Sequence, residues 1–131
     1  MIERPSKPLS LSILPWQLSV CRLFPGQTFP DGLFQSPFWS VTQIGDELSL
    51  VIPQELVQPD WKVESGWRCI QVLGPLDFNL IGILAQLSGV LAGAGISIFA
   101  LSTYDTDYLL IKETNLDKAR AVLLDNGYDL K

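Results

Sequence analysis

Residues 74–107 constrain the fold of this chain most, because no charged residue occurs between positions 78 and 104. A charge-free run of about 20 residues is long enough to be a membrane-spanning helix. The spacing of the apolar residues changes midway through this run, however. Residues 80–91 follow helical spacing, Gly93-Ala94-Gly95 offers a helix stop, and residues 96–99 favour a strand. A helix broken there ends roughly halfway across a bilayer, so we expect a soluble protein and no membrane partner.

The composition is that of a small globular protein. The 131 residues are 47% hydrophobic and 18% charged, which predicts one compact domain or two very small ones that share a core. The net charge is −5 and the basic residues are scattered, which disfavours nucleic acid as a partner. The N-terminus lacks the apolar core of a signal peptide, so we expect a cytoplasmic protein. Cys21 and Cys69 lie in apolar runs, which favours two buried free thiols over a disulfide.

The first half of the chain predicts strands and loops without a full helix. Strands are expected over residues 9–14 and 18–24, followed by a proline- and glycine-rich loop with at most one short helical turn. Residues 38–42 and 48–52 form a predicted hairpin around a turn at 44–47. Residues 53–65 are polar, contain two prolines, and are expected to be a connector.

The second half predicts the order β-α-β-β-α-(β). The predicted elements are a strand over 67–73, a helix over 79–92 with Asp77 or Asn79 as N-cap, strands over 96–102 and 107–112, a helix that starts at a capping box over 114–117, and a short strand over 128–130. Gly127 suits the position after the last helix. The two predicted hairpins can be overlaid with a shift of sixty positions, which places Thr42 on Ser102 and Glu47 on Asp107. Both have a hydroxyl residue at the strand end, a short turn, an acid and an apolar strand, which suggests a degenerate internal duplication.

Several segments of the chain resemble the ACT domain, a small ferredoxin-like module that senses amino acids in metabolic enzymes. They are W-R-C-I-Q-V-L-G-P-L-D-F (67–78), A-G-A-G-I-S-I (92–98) and S-T-Y-D-T-D (102–107). Together with S-V-C-R-L (19–23) and F-W-S-V-T-Q-I-G-D-E-L (38–48), they resemble a bacterial family of stand-alone tandem ACT proteins. That family is similar to the ACT units of aspartate kinase and of the cytosolic arginine sensor.

The resemblance implies an α+β fold with ferredoxin-like ACT domains in tandem. A degenerate, β-rich ACT-like subdomain is expected over residues 9–62. A complete βαββαβ ACT domain is expected over residues 63–131, and the sheets are expected to be antiparallel with helices on one face. ACT units usually associate side by side, so we expect a homodimer. Small residues at three-to-four spacing leave a narrow helix face that suits close approach to a second copy or to the sheet: Gly82, Ala85, Gly89 and Ala92.

The loop before the first helix of the ACT domain is one part of the predicted ligand site. Asp77 is expected to be the N-cap of that helix. In the functional alternative, the free backbone N–H groups at the same helix N-terminus hold a ligand carboxylate. Gly74 forms the turn and permits close approach of the backbone to a ligand. Leu76 and Phe78 are expected to form apolar walls of the pocket or to join the core.

The strand end at 102–107 is the other part of the site. By the resemblance, the ligand acid of the sensor family falls on Asp107, and neighbouring contacts fall on Thr103 and Tyr104. A carboxylate there can pair with the ammonium group of an amino acid or with a basic side chain. Asp105 and Asp107 are also typical of a solvated turn, which is the structural alternative.

The sequence gives little sign of catalysis. It contains no histidine, which removes the commonest general base and metal ligand. Its cysteines have neither C-x-x-C nor metal-ligand spacing, and no phosphate-binding or nucleophile motif is present. We therefore expect no enzyme activity, no cofactor and no metal.

The leading hypothesis is a regulatory or sensor protein that holds an amino acid between the β1–α1 loop and the β2–β3 hairpin of the ACT domain. The alternative is a protein–protein interaction module with a vestigial pocket. Candidates for its aromatic surface are Trp16, Trp39, Trp61 and Trp67, although buried core positions are the more usual place for tryptophan.

Overall fold

The computed structural model describes residues 9–73 and 82–131, and it has the predicted α+β fold. Its elements, in chain order, are β1 Ser10–Ile13, β2 Leu18–Leu23, β3 Ser40–Ile44, β4 Glu47–Pro53, β5 Lys62–Val72, α1 Ile83–Gly93, β6 Phe99–Ser102, β7 Asp107–Lys112, α2 Leu116–Asp125 and β8 Asp129–Leu130. Two compact units divide the chain. The inserted unit comprises residues 16–67, and the flanking unit combines the chain up to Pro15 with residues 68–131.

The flanking unit contains both helices and the second half of β5. Its strands follow the order β6-β7-β5-β1-β8, in which β6 and β7 are antiparallel, β1 is antiparallel to β5, and β8 is parallel to β1. Helix α1 buries Ile83, Leu87 and Leu91, which are spaced four residues apart and therefore share one face. Neither helix in the described part of the chain is long and apolar enough to span a bilayer.

Alternation along the strands places one face of this sheet against the helices. Leu109 and Ile111 of β7, which are fully buried, join the helix residues in a single hydrophobic cluster. Buried residues of β5, β1 and α2 complete it: Ile70, Val72, Leu11, Ala119 and Leu123. The flanking unit is therefore a two-layer α+β sandwich in which the helices cover one face of the sheet.

The inserted unit repeats the strand pattern without the helices. Strand β4 lies between β3 and β2, and β2 pairs with the first half of β5, all antiparallel. The core contains Cys21, Leu23, Leu33, Leu48, Leu50 and Ile52. The connection from β2 to β3 contains a single 3₁₀ turn, Leu33–Gln35, which confirms the prediction of at most one short helical turn.

Strand β1 belongs to the flanking unit, although it precedes the inserted unit in the chain. Leu11 pairs with Val72 of β5 and with Leu130 of β8. The predicted division into subdomains over 9–62 and 63–131 stays a prediction. The compact units differ from it because pairing between distant strands groups β1 with the second half of the chain.

Two local predictions are wrong. Residues 62–65 are not a connector, because β5 starts at Lys62 and gains pairing partners in β2. The capping box at 114–117 does not form: a 3₁₀ turn, Glu113–Asn115, runs directly into α2, and its N-cap, Asn115, makes no side-chain capping bond. The predicted helix start at Asn79 and the predicted cap Asp77 lie outside the described residues, and α1 has Gly82 as its N-cap.

Both cysteines are buried free thiols, as predicted, and this affects stability at high pH. Burial raises the pKa of Cys69 from 9.0 to about 12 and that of Cys21 to about 11. Above pH 9 the thiols ionise in the unfolded chain but not in the folded one, so the unfolded state binds fewer protons and stability falls as pH rises.

We expect the free energy of unfolding, measured in urea at pH 8 and at pH 10, to fall by roughly 1 kcal/mol more in the wild type than in the Cys69→Ala variant. Equal falls in both proteins would contradict the burial of this thiol.

Candidate functional site

The turn between β6 and β7 lies beside the C-terminal end of β5. Thr106, whose side chain is buried, donates a hydrogen bond from Oγ1 to the carbonyl oxygen of Val72 at 2.6 Å. A second bond joins the same two segments: Gln71, next to Val72, donates from Nε2 to the hydroxyl of Tyr108 at 3.4 Å. Residues 74–81, which follow Leu73 in the chain, lie outside the described residues. The turn therefore adjoins the end of β5, from which the chain leads to the predicted loop of the site.

The predicted site residues fall into two groups. Those in the turn and at the start of β7 are described by the structure: Thr103, Tyr104 and Asp107. The others lie outside the described residues: Gly74, Leu76, Asp77 and Phe78. The ring of Tyr104 is 82% exposed at the tip of the turn. Contact of these residues with a ligand stays a prediction.

Hydrogen bonds fix the shape of the turn. The Thr103 backbone N–H donates to the carbonyl oxygen of Thr106 at 2.9 Å, and Thr103 Oγ1 donates to the same oxygen at 3.2 Å. The Thr106 backbone N–H in return donates to Thr103 Oγ1 at 3.4 Å. Thr106 is thus held both within the turn and, through its side chain, by β5.

The Asp107 carboxylate lies on the helix-covered face of the sheet, at its edge. Asp107 alternates with Leu109 and Ile111, which pack beneath the helices, and it is half-buried. Ser102, its partner across the hairpin, donates from Oγ to Asp107 Oδ1 at 2.7 Å. The hydroxyl leaves the second carboxylate oxygen for another donor.

Among the residues that the structure describes, no basic side chain forms an ion pair with Asp107. The ion pairs found in residues 9–73 and 82–131 join Arg22 to Glu47 and Arg68 to Glu113. No Lys or Arg occurs between Arg68 and Lys112 in the sequence. A half-buried carboxylate in this situation can accept a charged hydrogen bond from an ammonium or guanidinium group.

The counterpart of Asp107 in the inserted unit depends on where the two hairpins are aligned. The 3₁₀ turns that follow the two hairpins start at Gln54 and Glu113, 59 positions apart rather than the predicted sixty. With that spacing, Leu48, 4% exposed in the core of the inserted unit, matches Asp107. Counted instead from the strand starts, Glu47 matches Asp107 as predicted, since each residue opens its strand and pairs with the last residue of the strand before it. The duplication itself stays a prediction.

Sequence reasoning did not list Ser102 and Thr106 as site residues. Thr106 lies between two aspartates in a turn, and Ser102 ends the strand before it; hydroxyl residues and acids in such a stretch are also the composition of an ordinary solvated loop. Only the pairing of β7 with β5 shows that Thr106 is buried and bonded to a strand 34 positions away.

Comparison with known proteins finds a family model and curated relatives that match part of the chain. Residues 62–125 match the model of the ACT domain. The human protein named cytosolic arginine sensor for mTORC1 subunit 1 is 40% identical over 58 residues, which is 44% of this chain. That match spans only 18% of the length of the human protein.

Two solved structures extend the likeness to nearly the whole chain. Protein Atu0741 from Agrobacterium tumefaciens is 32% identical, has a TM-score of 0.86, and is matched over 96% of this chain and 94% of its own. The regulatory subunit of aspartate kinase from Thermus thermophilus has a TM-score of 0.60 at 10% identity, over 88% of this chain and 96% of its own. The second likeness is one of fold alone.

Proposed function

Because the chain belongs to the ACT domain family, we propose that it is a regulatory protein that binds an amino acid at the junction of the 102–107 turn and the loop over 74–78. The observation that carries the proposal is the Asp107 carboxylate, which is held by the Ser102 hydroxyl and has no ion-pair partner among the described residues. The ammonium group of the ligand pairs with this carboxylate.

The rest of the ligand is assigned to the loop. Its carboxylate accepts hydrogen bonds from backbone N–H groups at the loop and the start of α1, where the helix dipole favours a negative charge. Leu76 and Phe78 supply apolar contacts to the side chain. The arginine sensor to which the chain is similar makes arginine the first ligand to assay.

A thermal-shift screen of the twenty proteinogenic amino acids tests the proposal. A ligand at about a hundred times its Kd stabilises the folded state by ~2.7 kcal/mol, so at least one amino acid is expected to raise the melting temperature. No shift with any of them at millimolar concentration would refute amino acid binding.

We also propose that the protein acts without catalysis, in the cytoplasm and as a homodimer. The absence of histidine and the two buried free thiols support the first two assignments. Side-by-side association is the usual arrangement of ACT units and supports the third. Sedimentation at micromolar concentration tests it, and a particle of 14.5 kDa, the mass of one chain, would refute it.

A further inference from the structure

The inserted unit carries three aromatic rings in contact, the half-buried Phe29 and the exposed Phe34 and Trp39, which we call the aromatic patch. The ring centroids of Phe29 and Phe34 are 5.9 Å apart, those of Phe34 and Trp39 are 4.8 Å apart, and both pairs are edge-to-face. Phe34 is 54% and Trp39 is 43% exposed. Large exposed aromatic rings that contact one another are typical of interaction surfaces.

The patch is fixed by the fold beneath it. Leu33 is buried in the core of the inserted unit, so the next residue of the same 3₁₀ turn, Phe34, points outward. Ser36 closes the turn with a 2.6 Å hydrogen bond from its Oγ to the Leu33 carbonyl oxygen. Phe29 packs against the same core. A partner therefore meets a preformed surface and does not have to order it.

The stretch of chain that carries the patch has charges of one sign. From Leu23 to Trp61 the sequence contains no Lys or Arg, and its charged residues are Asp31, Asp46, Glu47, Glu55 and Asp60. Asp31 is exposed and lies between Phe29 and Phe34 in the chain. Arg22, which precedes this stretch, forms an ion pair with Glu47 at 3.9 Å. The segment that carries the aromatic rings thus supplies a carboxylate, Asp31, and no cation.

We propose that the aromatic patch is the docking site for an arginine- or lysine-bearing segment of a partner protein. A guanidinium or ammonium group placed over the exposed faces of Phe34 and Trp39 gains a cation–π interaction. The Asp31 carboxylate and the net negative charge of this stretch attract the same group and make association weaken as salt rises. The inserted unit then serves partner binding, whereas the flanking unit serves ligand binding.

A random peptide library displayed on phage, selected against the full chain, tests this proposal. The enriched peptides are expected to carry Arg or Lys. One enriched peptide is then synthesised, and its affinity is measured by fluorescence anisotropy. The Phe34→Ser/Trp39→Ser variant is expected to bind it about tenfold more weakly or worse, whereas the control Leu124→Ser, which changes an exposed side chain of the flanking unit, binds as the wild type does.

Other outcomes overturn the proposal. They are failure to enrich any peptide, enrichment of peptides without a basic residue, equal binding by the double variant, and retention of affinity when the peptide's basic residues are replaced by glutamine. Sedimentation supplies a further check: if the wild type dimerises and the double variant does not, the patch is covered by a second copy of the chain and not by a partner.

Discussion

Replacing Asp107 with asparagine is expected to weaken amino acid binding by about ten- to a hundredfold, because a hydrogen bond to a charged group contributes ~1.5–3 kcal/mol. Asparagine keeps an oxygen that can accept the hydrogen bond from Ser102, so the hairpin is expected to retain its shape. Titration calorimetry of both proteins with the amino acid found in the thermal-shift screen measures the change.

Asp105→Asn is the matched control for this experiment. Asp105 is an exposed residue of the same turn, two positions away, and the substitution removes the same charge. Its effect on affinity is expected to be small. If both variants lose affinity equally, the turn acts through its overall negative field and Asp107 has no specific contact.

Replacing Thr106 with valine is expected to lower the free energy of unfolding by ~1–3 kcal/mol, because the buried carbonyl oxygen of Val72 loses its hydroxyl donor. Valine has nearly the same shape, so packing changes little. Ligand affinity is expected to fall as well, since the turn that carries Asp107 is no longer bonded to β5.

Urea denaturation of the wild type, Thr106→Ser and Thr106→Val compares their free energies of unfolding. Thr106→Ser keeps the hydroxyl group and is expected to retain most of the stability, whereas Thr106→Val is not. Equal stability of the two variants would show that the 2.6 Å hydrogen bond is not what holds the turn against β5.

The hairpin of β6 and β7 was predictable from sequence because its signals are local. The strand over 107–112 agrees residue for residue with β7, since an acid ends a turn and an apolar run follows it. The proposed duplication shows the limit of this reasoning. Glu47 and Asp107 each open a strand and pair with the last residue of the strand before it, but only the structure shows that Leu48, and not Glu47, faces the core of the inserted unit.

Tertiary bonds were not predictable in the same way. Nothing in the four residues of β1 indicates that their partners are β5 and β8 rather than the next strand along the chain. The bond from Thr106 to Val72 likewise depends on the pairing of two strands that a helix separates in the chain. The carboxylate of the site was predictable because a family resemblance marked it, whereas its supporting hydroxyls were not.

The place of β1 also sets an order of events during synthesis on the ribosome. Ser10 and Asp129, which form a hydrogen bond across the β1–β8 pair, are 119 positions apart. The flanking unit can therefore close only after residue 129 has emerged. The inserted unit needs no residue beyond Trp67 and can fold earlier. Contacts between distant residues slow folding, so the ligand-binding half is expected to be the late step. Until then, β1 and β5 expose strand edges that can pair with another chain.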